Sequence, residues 1–344
     1  MEGKPLYRPI LARAWEITRK FKGLWFFGFF AAIISSGGEY EIIARALYTP
    51  GNSDLISTTI AGFQSGLQEG LMRSGGDIWK NLAAALFANA STLIVALAIF
   101  ILVIAIALFL LWLSTVSQIG LIRNISLINK AKKTTFNEGL DAGVKLFWPV
   151  FIINVVFKII LFILLFILGR ELLFLAGHGG LASAAYFISF AIFVVIILMV
   201  SFLVRYQIFF LVLKKQSWLE ALQSGWKLFI KNWLISLEMA FLMFIFYIVV
   251  FFISIFIIAA LTAIPTVVLL AYLSYLPIFV KSIIALVCVI LIILTMIATT
   301  ILINTFQWAS WTLLFDRLAL KDELSKIIRL TKQLTAFNKP NPAK

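Results

Sequence analysis

Lys158 is the residue that most directly invites a chemical reading. It interrupts the apolar stretch Leu146–Gly169. A helix running from Phe147 would carry it about 16 Å inward, close to mid-bilayer if the stretch crosses a membrane. An isolated ammonium at that depth costs ~3 kcal/mol or more, so an intramembrane cation is by default a candidate for a substrate or ion path. The bland arrangement is a lysine that bonds carbonyls inside a bundle or snorkels to the headgroups. Two partners are within reason: Asn154, one turn earlier, through its amide oxygen, and Glu238, near the start of a later apolar stretch, through an ion pair. We therefore expect the Lys158 ammonium to face a bundle interior with an oxygen in reach.

The other chemistry-bearing residues are isolated. The single histidine, His178, lies in a Gly-rich turn, Gly177-His178-Gly179-Gly180, and the single cysteine, Cys288, lies inside an apolar run. One of each builds no metal centre, and a lone cysteine forms no intramolecular disulfide. Ser36-Gly37-Gly38 and Ser74-Gly75-Gly76 read as turns, since a serine nucleophile needs a partner base. There is no G-x-x-x-x-G-K-[ST] loop to cradle a nucleotide phosphate. We expect no catalytic residue, no cofactor and no metal.

What must position these residues is a set of membrane-spanning helices. Of 344 residues, 62% are hydrophobic and 13% are charged, against about 45–50% apolar in an ordinary soluble domain. Charges are absent from Asn81 to Ile122, Leu172 to Val204, Met239 to Val280 and Ser282 to Phe315. A spanning helix needs about 20 apolar residues. The runs are continuous and do not alternate, which excludes a membrane β-barrel. The fold class expected is all-α, a polytopic membrane helix bundle. Its spans are expected near 23–36, 92–119, 147–168, 183–210, 233–260 and 280–307, the first being short and retained as a span, not cleaved as a leader. Pro265 and Pro277 bracket Thr266–Leu276, a segment too short to cross, which reads as interfacial or re-entrant.

An internal repeat organises the chain. Arg123 pairs with Arg205, Lys132-Lys133 with Lys214-Lys215, Glu138 with Glu220, Gly143 with Gly225, and Lys145-Leu146-Phe147 with Lys227-Leu228-Phe229, all at a constant offset of 82 residues. Thr135-x-x-Glu138 and Ser217-x-x-Glu220 are capping boxes, in which hydroxyl and carboxylate satisfy orphan backbone donors at a helix start. Each opens an amphipathic helix that leads into the next span. The amino terminus holds a weaker third copy, with Ile10, Ala14, Ile17 and Phe21 on one face and Arg13, Glu16 and Lys20 on the other. One transmembrane domain, 1–318, thus contains units at about 5–122, 123–204 and 205–318, followed by a basic tail, 319–344. Arg123 and Arg205 are expected to anchor span ends to headgroups, and Trp148 and Trp233 to sit in the interfacial aromatic belt.

Charge sets the expected orientation. Twenty-three Lys and Arg fall on the side of both termini and five on the other, which places both termini in the cytoplasm. The net charge of +14 then reflects this topology and attraction to anionic headgroups, not nucleic acid.

The motifs Phe136-x-Glu138-Gly139-Leu140 and Trp218-x-Glu220-Ala221-Leu222, each followed by Gly-x-Lys-Leu-Phe and Trp, together with the opening Ala14-Trp15-Glu16-Ile17-Thr18-Arg19-Lys20-Phe21, carry a resemblance. The chain resembles uncharacterised six-span bacterial integral membrane proteins, similar to the membrane domain attached to some glycerophosphodiester phosphodiesterases. In that family hydrolysis belongs to a separate soluble domain, which this chain lacks. The resemblance implies a cell-membrane architecture and no transferable active site. The function expected is non-enzymatic organisation of lipid or partner proteins. A small-molecule or lipid transporter is the alternative, and an intramembrane enzyme ranks below both because no paired carboxylates or nucleophile cluster exists.

Overall fold

The computed structural model describes residues 6–35, 90–132, 134–175, 180–271 and 277–319. All regular structure among them is helical: α1 Tyr7–Lys20, α2 Gly23–Ser35, α3 Ala90–Asn129, α4 Phe136–Lys145, α5 Phe147–Leu175, α6 Gly180–Lys214, α7 Trp218–Lys231, α8 Trp233–Ala271 and α9 Ile278–Leu318. Five of these, α3, α5, α6, α8 and α9, are long and apolar enough to cross a membrane. The protein is a multi-pass helical membrane protein. His178, the Ser-Gly-Gly turns, most of residues 36–91 and nearly all of the basic tail lie outside the described residues.

The chain forms two compact units, Met1–Glu39 with Leu113–Lys344, and Tyr40–Trp112. Of the second, the described part is the first half of α3, whose side chains are exposed and apolar from Ile94 to Leu108, apart from small alanines.

Within the first unit the long helices change character along their length. On α9, large apolar side chains are exposed from Phe279 to Ile297, and on α8 from Phe241 to Val267. Nineteen residues of α9 cover about 28 Å, which matches the hydrocarbon thickness. This belt is the lipid-facing part. Beyond it the same helices converge on a tight core that includes Ile119, Ile125, Phe209, Met239, Trp311 and Phe315, all essentially inaccessible. A helix of 41 residues, such as α9, is about 60 Å long, so roughly half of it must project past the hydrocarbon. The packed layer occupies that projecting half.

Polar side chains cross-link the packed layer. Asn154 Nδ2 donates to Gln118 Oε1 at 2.8 Å, joining α5 to α3. Tyr206 and Ser236 hydroxyls lie 2.6 Å apart, joining α6 to α8. Ser114 Oγ donates to the Phe30 carbonyl at 2.6 Å, joining α3 to α2. Each bond satisfies polar groups buried in the layer and so fixes which helices meet and in what register.

The first span, expected at 23–36 and already read as short, corresponds to α2, described from Gly23 to Ser35. Phe27 stacks on Phe136 with centroids 4.8 Å apart, and Gly28 lies directly against Thr305 and the Ile301 carbonyl, so one face of α2 packs on protein. Five other helices among the described residues are long and apolar enough to cross a membrane. One expectation is corrected: the segment after Pro265 does not start as a separate interfacial piece. Helix α8 runs through Pro265 to Ala271. Proline removes one backbone donor, the one that would bond the Leu261 carbonyl, a loss that membrane helices tolerate.

Candidate functional site

Amphipathic helices gather at the projecting end of the bundle. Helix α4 begins with the expected capping box: the Glu138 N–H donates to Thr135 Oγ1 at 3.3 Å and the Thr135 N–H to the Glu138 carboxylate at 3.4 Å. At α7 the Ser217 N–H donates to Glu220 at 3.0 Å, and this bond holds the Glu220 carboxyl below its ordinary range. In α1 Ile10, Ala14 and Ile17 are buried as expected, but Phe21 is exposed. The helix stops at Lys20, and Phe21, as its C-cap, turns away from the buried face. Across α1, α4 and α7 the outward residues mix aromatics with charge, including Trp15, Phe136, Trp218 and Trp226 beside Lys20, Lys145 and Lys227. Such faces suit a headgroup boundary. Trp148 is 67% and Trp233 55% exposed at the spans that follow α4 and α7.

A groove of about 580 Å³ lies in this layer. It is lined by Arg123 of α3, Lys132, Lys145 of α4 and Lys215, with Glu138 and Asp141 opposing them and Leu127, Leu146, Leu211 and Val212 among its apolar lining. Helix ends position the cations. After α3, the Lys132 N–H donates to the Leu127 carbonyl and the Ala131 N–H to the Ile128 carbonyl, both at 3.0 Å. Ala131 adopts φ 55°. This is a Schellman stop, and it turns the chain sharply so that Lys132 lines the groove. Lys215 adopts φ 54° directly after α6, a similar left-handed stop. Glu138 is held in its cap, and the only ion pairs among the described residues are Arg13–Glu16 and Lys20–Glu16. The groove cations therefore have no carboxylate within 4 Å among the described residues.

The residues singled out from the sequence are not brought together. Asn154 is buried and bonded to Gln118, not to Lys158. Lys158 is exposed, against the expectation that it faces the interior. The reason is angular. At about 100° per residue, buried Val150, Ile153, Asn154 and Leu161 define one face, and Lys158 lies past its edge. There a lysine can snorkel. Glu238 accepts from the Tyr7 hydroxyl of α1 and is not paired with Lys158. Arg123 is half-buried at the groove, but Arg205, its counterpart in the repeat, is 9% exposed. Arg205 lies in the core, its guanidinium 4.4 Å from the Trp311 ring centroid, so it is not a headgroup anchor. Asp316 had no signal in the sequence beyond its place in a span end. It is 8% exposed and accepts from Ser126 at 3.2 Å and Asn129 at 3.3 Å.

These features define a polytopic helical membrane protein with a polar-bonded helical layer and a cation-lined groove at one end. No family model, curated protein or solved structure matches the chain.

Proposed function

We propose that the protein is a non-enzymatic membrane organiser. Its apolar belt holds the packed layer against one bilayer face, where its basic amphipathic helices engage anionic headgroups or a partner seated on them. The observation that carries this reading is the gathering of α4, α7 and the groove cations at the same end of the bundle, with aromatic and basic side chains interleaved on their outward faces. On the charge asymmetry of the sequence this end, with both termini, is cytoplasmic, and the offset of 82 residues makes the segments from Arg123 and from Arg205 copies of one unit. The resemblance to the phosphodiesterase-associated membrane domain agrees with such a role. The transporter alternative, motivated by the repeats and buried polar groups, gains no support from Lys158, which stands on the outside of its helix.

The test is reconstitution into nanodiscs that contain either zwitterionic lipid alone or a fraction of anionic phospholipid. Anionic lipid should raise the melting temperature and protect the α7 amides from hydrogen exchange, and a Lys227→Gln/Lys231→Gln variant should lose that gain. Equal behaviour in both bilayers would defeat the reading.

A further inference from the structure

We propose that the groove between α3, α4 and the end of α6 is a discrete binding site for a phosphate group. This rests on, and sharpens, the reading of this end as an anionic-headgroup surface. Four cations from three separate segments, Arg123, Lys132, Lys145 and Lys215, line one cavity of about 580 Å³, within the usual range of small-molecule sites. Glu138 and Asp141 share the lining and offset two of the four cations, which leaves a net charge of +2; neither carboxylate forms an ion pair with the cations among the described residues. Like charges converge at an energetic cost, so a net-positive cluster built by two left-handed helix stops is arranged for an anion. Arg123 supplies a planar guanidinium whose fork matches phosphate geometry, and the lysines add point charges.

The apolar lining refines the ligand. Leu127, Leu146, Leu211 and Val212 line the same cavity as the cations, so the site suits an amphiphilic phosphate, charged at one end and carbon-rich at the other. The phosphate group is the shared chemistry of two sources, a phospholipid headgroup and a free phosphate compound. Asp141 faces the ligand as a repelling charge, which limits affinity and makes the site adjustable in the upward direction.

The experiment uses the full chain purified in a zwitterionic detergent. Native mass spectrometry counts bound phosphatidic acid against phosphatidylcholine, and calorimetry measures inorganic phosphate. One tightly held phosphatidic acid and no phosphatidylcholine is the expected result. Lys145→Gln and Arg123→Gln should each weaken binding about tenfold, the loss of one charge-assisted bond. Asp141→Asn should strengthen it about two- to fivefold, and a strengthening variant cannot arise from misfolding. Arg19→Gln, exposed on α1 away from the groove, should change nothing. If inorganic phosphate binds and competes, the source is a free phosphate compound; if only the lipid binds, it is a headgroup. Absence of both, or binding indifferent to Lys145, Arg123 and Asp141, overturns the site. The nanodisc gain that depends on Lys227 and Lys231 would survive that failure, so the two ideas fall separately.

Discussion

Glu16 shows what one exposed side chain can report. It accepts from Lys20 Nζ and from Arg13 Nη1, each at 2.7 Å. These bonds, Lys20 first, hold its carboxyl at about 2, below the ordinary 4.5. A depressed folded pKa contributes support that is present above 4.5 and lost as pH falls toward 2. A carbon-13 titration of Glu16 should have its midpoint near 2, and Lys20→Gln should move it upward; an unmoved midpoint would show that the bond does not form in solution. Lys158 makes the opposite kind of statement. Because it lies outside the packed face, Lys158→Leu should leave folding and lipid binding unchanged and leave the melting temperature equal or higher. Breaking the interior bond between Asn154 and Gln118 should cost more. A double-mutant cycle on that pair should give about 0.6 kcal/mol of coupling, with an upper bound near ~1.7, and a coupling near zero would remove it as a register device.

Glycine decides how the amphipathic helices seat. At Gly143 of α4 an added Cβ would stand 2.5 Å from the Val116 carbonyl oxygen and 2.6 Å from Val116 Cγ1. Backbone on the facing helix cannot give way, so Gly143→Ala should lift α4 off α3 and cost about 1–3 kcal/mol. At Gly225 of α7 the nearest atom is the Gln207 nitrogen at 3.2 Å, a tight but adjustable approach, and Gly225→Ala should cost less. Scanning fluorimetry of the two variants in one detergent checks the order, and the reverse order would contradict the packing described. The two helices also meet different neighbours. Gly143 lies against Val116, whose partner in the repeat is Leu198, while Gly225 lies against Gln207. Similar local signals therefore seat at different heights on their preceding spans.

For the whole molecule the decisive quantity is where hydrocarbon ends. The exposed belt on α8 and α9 and the packed layer beyond it predict two accessibility regimes along the bundle. A spin label at Val289 of α9 should be relaxed by dissolved oxygen, and one at Lys215 by a water-soluble nickel chelate. A cysteine introduced at Lys132 should be labelled from the cytoplasmic side; labelling from outside would reverse the orientation.

The all-helical membrane class, the positions of the five long spans, both caps and the amphipathic faces were legible in the sequence, because each depends on local periodicity or on residues within one turn. Leu24–Ile34 reads as apolar for the same reason, but composition does not say which face of a helix is covered by protein, and its contacts with Phe136 and Thr305 show that face. The fates of Lys158, Glu238 and Arg205 were also set by tertiary structure. A charge in an apolar run has a large cost wherever it goes, but which face it turns to, and which neighbour meets it, depends on helix rotation and neighbours that no local pattern encodes. Tyr7, distant in sequence, took Glu238, and Trp311 took Arg205. The groove is the clearest case. Its four cations were each visible as interfacial charges, yet their convergence arises from two helix stops and one close helix approach, which bring segments more than 80 residues apart around a single cavity.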